Sequence, residues 1–290
     1  MTPKNISYDF KSLRKQGMLI WSKRRLSNFV FQYGQTRVLS GYAACLVDTN
    51  GKFLPKVTSS QLMRLVKFDQ KLGACILKSL WDFEQRLNSV LVATLLAEYG
   101  LSQNYVLNVD DCEWLHFKNF EEKENFKRNM YQNVETCNFL RYFKDKQNIP
   151  LISLSLSWTF FNTLLFFEVV SPSVQTKVMK AIGLENWTVD AFKSIGHIIR
   201  KIRNTISHND CLLISRWDAN ETLSKQLNLG STNKYLFIYD ICEFLDLIST
   251  SRKSLVKSVT KLINKQFFSK PVRTRVGKLL GWDLSKIRAI

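Results

Sequence analysis

Residues 200–210 read Arg-Lys-Ile-Arg-Asn-Thr-Ile-Ser-His-Asn-Asp, and within them Arg203, Asn204 and His208, one of only three histidines in the chain, fall inside six residues. These side chains suit one reaction in particular, cleavage of an RNA phosphodiester by its own 2′-OH. A neutral imidazole can take the hydroxyl proton, or its protonated form can help the leaving oxygen depart. A guanidinium grips the phosphate as a fork and steadies charge in the transition state. DNA lacks the 2′-OH and cannot follow this path. On an ideal helix five residues turn the chain by about 140°, so Arg203 and His208 share an edge only loosely. That suits a helix end facing a cleft. Asn204 and His208 are four apart and share a face, where the amide can orient the imidazole or touch a phosphate.

Few other groups compete for chemistry. Glu84 is one of the few acids in a long apolar run, between Phe83 and Leu87, and reads as a partner for an arginine across a helical bundle. His197, beside the apolar face of the same helix as Arg203, reads as a hydrogen-bonded helix residue, and His116 stands alone in an irregular connection. Glycine-rich phosphate loops, nucleophile elbows and paired metal ligands are missing from the sequence, so it implies no metal and no cofactor.

The helix that must carry Arg203 begins near Thr188, a good cap, with Asp190 in its first turn. Val189, Phe192, Ile195, Ile198, Ile199, Ile202 and Ile206 form its apolar stripe, leaving Arg203 and His208 off it. The most regular pattern lies earlier, from Leu62 to Leu96, and predicts one long helix or two nearly continuous ones over Ser59–Tyr99, with Gly73 as the place for a bend. Further helices are predicted over 126–146, 151–169 and 235–248, with short ones over 8–18, 20–31 and 173–182. Gly230-Ser231-Thr232-Asn233 reads as a loop. Lys23, Arg24 and Arg25 read as a solvated helix face. The fold expected is all-α: a helical domain over 1–250, with an N-terminal helical appendage, followed by a basic helical extension over 251–290.

Charge indicates the partner. The chain carries 42 Lys and Arg against 24 Asp and Glu, a net +18, which favours a polyanion such as nucleic acid through counterion release. From Arg252 onward 11 basic residues face Asp283 alone, +10 of that total. Lys253, Lys257, Lys261 and Lys265 recur every four residues and form one ridge, opposite Leu255, Val259, Leu262 and Ile263. With Arg273 and Arg275 they make a candidate RNA-docking surface, although a membrane surface would attract the same helix. The run Leu151–Phe167 spans 17 residues and carries six Ser, Thr and Asn, short of the ~20 apolar residues a membrane span requires. No membrane insertion is expected. Six scattered cysteines and a polar N-terminus without a secretory leader predict reduced thiols in a cytoplasmic protein.

Several landmarks, in order, resemble the abortive-infection (Abi) family of the AbiD/AbiF type, within the HEPN superfamily. Leu39-Ser40-Gly41-Tyr42 is similar to its early Ser-Gly-Tyr element, and the stretch from Leu65 through Phe68-Asp69 to Leu72 to its Phe-Asp helix. Phe83-Glu84 through Glu98-Tyr99-Gly100 is similar to its Glu-bearing segment, and Ser157-Trp158 through Phe167 to its buried helix. Ile202 to His208 resembles its Arg-Asn-His core. Two departures stand out. Family members often carry a second His where this chain has Asn209, and often an Arg where Asn88 stands. The resemblance implies a HEPN four-helix bundle, usually dimeric, whose paired motifs form a metal-independent RNase site. It also implies phage defence or toxin action, with an antitoxin that can be a small RNA. On this reading Arg203, Asn204 and His208 are catalytic, with Glu84 and Asn209 in support. A protein of the same fold that binds RNA without turnover is the alternative.

Overall fold

The computed structural model describes residues 10–143, 148–229, 235–251, 253–266 and 269–283. The predicted loop at 230–233, Arg252 and the basic residues Lys286 and Arg288 lie outside them. The fold is all-α. Its helices are α1 (Lys11–Lys15), α2 (Lys23–Tyr33), α3 (Ser59–Glu98), α4 (Phe120–Tyr131), α5 (Leu151–Ser155), α6 (Phe160–Val169), α7 (Pro172–Ala181), α8 (Val189–Ser207), α9 (Glu221–Gln226), α10 (Ile238–Ile248), α11 (Leu255–Gln266) and α12 (Lys270–Leu280). A π-helical turn over Arg37–Tyr42 and a 3₁₀ turn over Leu212–Ile214 complete the helical set. Among the described residues the only sheet is a two-residue antiparallel pair, Trp217–Asp218 (β1) with Tyr235–Leu236 (β2).

Helix α3 is the axis. Its 40 residues span ~60 Å at 1.5 Å per residue. Thr58 starts it with a capping box in which Gln61 answers the cap, satisfying two otherwise orphaned N–H groups. Helices α5, α6, α7, α8, α10 and α11 pack around it. Phe83 sits edge-on to Phe160, Phe192 and Phe244 at centroid distances of 5.6, 6.4 and 6.0 Å, so one ring ties α3 to α6, α8 and α10. Helix α3 runs through Gly73 as helix, and the glycine serves contact rather than a break. A Cβ there would lie 3.2 Å from Ile206 Cγ2 of α8, so its absence lets the two helices approach where α8 ends.

Two predicted helices are realised differently. The stretch 151–169 divides into α5 and α6, because Thr159 and Asn162 form a capping box that restarts the helix. The helix expected over 126–146 instead starts at Phe120, where Asn119 caps it, and stops at Tyr131. Residues 144–147 of that stretch lie outside the described residues. The basic segment after 250 folds onto the rest of the molecule: Leu255, Val259 and Ile263 of α11 and Val272, Val276 and Leu280 of α12 are all buried. Trp282 Nε1 donates to Thr260 Oγ1 at 2.9 Å, and Gln61 Nε2 of α3 donates to Ser269 Oγ at 2.7 Å. Among the described residues no helix is long and apolar enough to cross a membrane. All six cysteines are free thiols.

Candidate active site at the end of helix α8

Helix α8 buries Phe192, Ile195, Ile198, Ile199 and Ile202, and this stripe turns Arg203 toward α3. There Arg203 Nε lies 3.1 Å from Glu84 Oε1, with side-chain exposures of 34% and 10%. Both atoms are buried and lack an aligned hydrogen bond, so the contact is an ion pair held by charge. Burial raises the Glu84 carboxyl above its ordinary range, and the Arg203 charge opposes that rise. Glu84 therefore has the arginine partner its apolar setting predicts. Asn88 instead donates to the Ser155 carbonyl at 2.9 Å, and Arg86 reaches the carbonyls of Ile248 and Ala181.

One turn beyond Arg203, α8 ends. His208 is its C-cap, and Asn209 follows with φ 59°, a left-handed conformation that asparagine tolerates better than most residues. Asn209 N–H donates to the Ile206 carbonyl and Asp210 N–H to the Thr205 carbonyl, each at 2.9 Å. That pair of bonds is the Schellman termination, which satisfies carbonyls a helix end would otherwise leave open. Asn204 and His208 are both exposed, and His208 N–H donates to the Asn204 carbonyl at 2.9 Å. The imidazole is thus presented outward from a backbone position fixed on both sides.

A second arrangement braces this end from the opposite direction, and of its side chains only Asn209 carries a role read from sequence. Arg37 Nη2, on the π-helical turn, donates to Asn209 Oδ1 at 2.7 Å and to the Tyr42 hydroxyl at 3.2 Å. Tyr42 donates to Asp69 Oδ2 at 2.7 Å, and Leu212 N–H donates to the same oxygen at 3.1 Å. Asp69 is 2% exposed. Its Oδ1 is buried without a hydrogen-bond partner, beside a pocket of about 180 Å³ lined by Gln70, Gly73, Ile206, Asn209, Asp210 and Leu212. Burial pushes the Asp69 carboxyl up to about 6, against the lowering pull of Tyr42, the Leu212 and Leu213 amides and Arg37. The signal available in sequence was the presence of Tyr42 and Asp69 within two of the family landmarks. The Tyr42–Asp69 and Arg37–Asn209 bonds join residues 27 and 172 positions apart, which no local pattern encodes.

The remaining candidates fall elsewhere. Lys253, Lys257, Lys261 and Lys265 are exposed on α11 and the segment before it. Arg275 is half-buried, its Nε donating to the Cys45 carbonyl at 3.3 Å, and Arg273 is half-buried with a buried Nε. The two arginines therefore face the fold more than solvent, unlike the lysines. His197 Nε2 lies 2.7 Å from Glu168 Oε1, in keeping with a hydrogen-bonded helix residue. Among the described residues no cluster of His, Cys, Asp and Glu is placed to hold a metal ion.

A profile of the Abi-like protein family matches residues 25–213, the span from α2 through the 3₁₀ turn. It includes Arg37, Tyr42, Asp69, Glu84 and the whole of α8. The chain belongs to the Abi-like protein family, a group of abortive-infection-like proteins. No curated protein and no solved structure matches the chain.

Proposed function

We propose that this Abi-like protein is a metal-independent endoribonuclease of the HEPN type, acting in phage defence by abortive infection or as a toxin. The observation that carries the reading is the end of α8: an exposed His208 and Asn204 beyond an Arg203 whose position is set by a buried Glu84. In the reaction, His208 takes the 2′-OH proton as the 2′-oxygen bonds to phosphorus. The P–O5′ bond breaks, and an imidazolium returns a proton to the departing oxygen. Arg203 binds the phosphate through the outer nitrogens of its fork, and Asn204 orients substrate or imidazole.

Because Arg203 leans toward α3 while His208 points outward from the helix end, a site built at the seam of a homodimer, with the α8 ends facing, accommodates both better than one chain alone. RNA is the substrate, and a small RNA antitoxin fits the same positive surface. The working compartment on this reading is the cytoplasm. A second reading, RNA binding without turnover, draws on the Glu84 ion pair, which occupies part of the Arg203 guanidinium. The 2′-OH separates the two. Given an all-deoxy oligonucleotide with one internal ribonucleotide, the protein is expected to cut only 3′ of that ribonucleotide. Cutting of the all-deoxy control at the same rate would overturn the mechanism, and no cutting of any RNA would favour the second reading.

A further inference from the structure

The side chains of α2 and the first turns of α3 enclose a depression of about 250 Å³ lined by Arg25, Asn28, Phe29, Gln32, Ser60, Met63, Arg64 and Lys67. Three of these are cations and none is an acid. Arg25, Arg64 and Lys67 are exposed, whereas Phe29 and Met63 are buried and close the floor. The sequence shows Arg25 only as one of three charges on a solvated helix face. The fold brings Arg64 and Lys67 to it from a helix that begins some 35 residues later.

The depression lies close to the end of α8 along α3. Lys67 and Gln70 are three residues apart on α3 and so neighbours on one face, separated by ~4.5 Å of rise. Gln70 lines the pocket that contains Asn209, the residue after His208. Arg37, which holds Asn209, lies on the π-helical turn that packs against α2. The depression itself holds no carboxylate, and Gln70 and Arg37 link its two helices to the end of α8, where Asp69 and Asp210 join Asn209 around the neighbouring pocket. By contrast, Lys253 lines a groove that also contains Asp82 and Arg86. Asp82 lies 18 residues beyond Arg64 on α3, ~27 Å along the axis and more than two Debye lengths at physiological salt.

We propose that the α2/α3 depression is a phosphate-binding subsite for single-stranded RNA, seating the backbone of a strand whose neighbouring nucleotides reach the end of α8. Arg25 and Lys67 supply charge for one or two phosphates, and Asn28 and Gln32 supply amide donors. The inference rests on the RNase reading for its choice of ligand, but the binding site can be tested without turnover.

Binding of a fluorescently labelled single-stranded RNA to His208→Ala protein, followed by polarisation over a salt series, separates the possibilities. Adding Arg25→Ala and Lys67→Ala is expected to weaken binding roughly tenfold and to flatten the log–log salt slope by about 1.4, two single-strand phosphate contacts at ~0.7 each. The same two-charge removal at Lys253 and Lys257 is expected to have a clearly smaller effect. An equal or larger effect from the Lys253 and Lys257 pair overturns the subsite, since any cation would then do. An unchanged slope with Arg25→Ala/Lys67→Ala overturns it directly. So does loss of binding to phosphatidylserine vesicles with RNA binding intact, which would mark a membrane contact. A circular-dichroism melting curve matching the parent excludes misfolding, and the charge-conserving Arg25→Lys variant should keep most of the slope. If RNA binding responds as expected but wild-type protein never cleaves, the RNase reading fails and the subsite stands. If wild-type cleaves in a His208-dependent way and the slope does not move, the subsite alone fails.

Discussion

Two carboxylates on the same helix, Glu84 and Asp69, hold the same end of α8 by different means. Glu84 acts directly: it is buried, and its counter-charge Arg203 touches it at 3.1 Å. Asp69 acts at a distance, through Tyr42 and Arg37 to Asn209, and keeps one oxygen without a hydrogen-bond partner. Both carboxyls are raised by burial, so both are electrostatically costly. The difference lies in what each fixes. Glu84 sets a side chain that would touch substrate, whereas Asp69 sets the backbone turn that aims the imidazole. A direct ion pair should fail abruptly when broken, and a relay should fail by degrees.

The largest effect is expected at Arg203. Arg203→Ala leaves Glu84 buried without its counter-charge and should lower stability by about 3 kcal/mol, the low end for a buried pair because the arginine keeps partial exposure. Urea denaturation measures it. A loss below ~0.5 kcal/mol would mean that Glu84 is neutralised by a proton instead.

Next comes the pH dependence set by Asp69. Its folded carboxyl titrates at about 6 against ~3.9 in an unfolded chain, so the native state holds the proton more tightly. The stability this contributes is full at low pH and is lost as pH rises from about 4 to 6. Over that window Asp69 should cost the wild-type roughly 2 kcal/mol, and the profile of Asp69→Asn should be flatter by that amount. Parallel profiles would contradict the assignment of the buried titration to this residue.

Tyr42→Phe removes one hydroxyl from the middle of the relay and should cost about 1–2 kcal/mol, since the Asp69 oxygen and Arg37 each lose a partner. Asn209→Gly should be the mildest. Glycine accepts the left-handed turn, so the helix end survives and stability moves by only a few tenths of a kcal/mol. Arg37 loses one of its two acceptors, however, and RNA cleavage is expected to fall several-fold in kcat with little change in KM. The asparagine itself tolerates the positive φ at this position better than most residues. What it supplies is a carbonyl oxygen for Arg37.

This contrast also shows what a single sequence reveals. The long periodic runs of α3 and α8, their caps at Thr58 and Thr188, and the need of Glu84 for an arginine are local facts, and each is present in the fold. The break between α5 and α6 is legible too, as Thr159 and Asn162 in capping register, but a stretch without charged residues from Leu151 to Phe167 masks it. The relay was not legible, because Arg37 and Asn209 meet only after α3 brings distant segments together. Nor could charge alone separate Arg275, spent on a backbone carbonyl, from Arg25, which lines an open depression. A cation facing inward and one facing water look alike until the packing is known.

On the proposed reading, His208 at the end of α8 carries RNA cleavage. Purified wild-type and His208→Ala proteins, incubated with total RNA in EDTA and mapped for cut ends, test it most directly. The prediction is cuts bearing 2′,3′-cyclic phosphates in the wild-type sample and their absence with His208→Ala. Identical cut patterns from both proteins, or no cyclic-phosphate ends from wild-type, would contradict it.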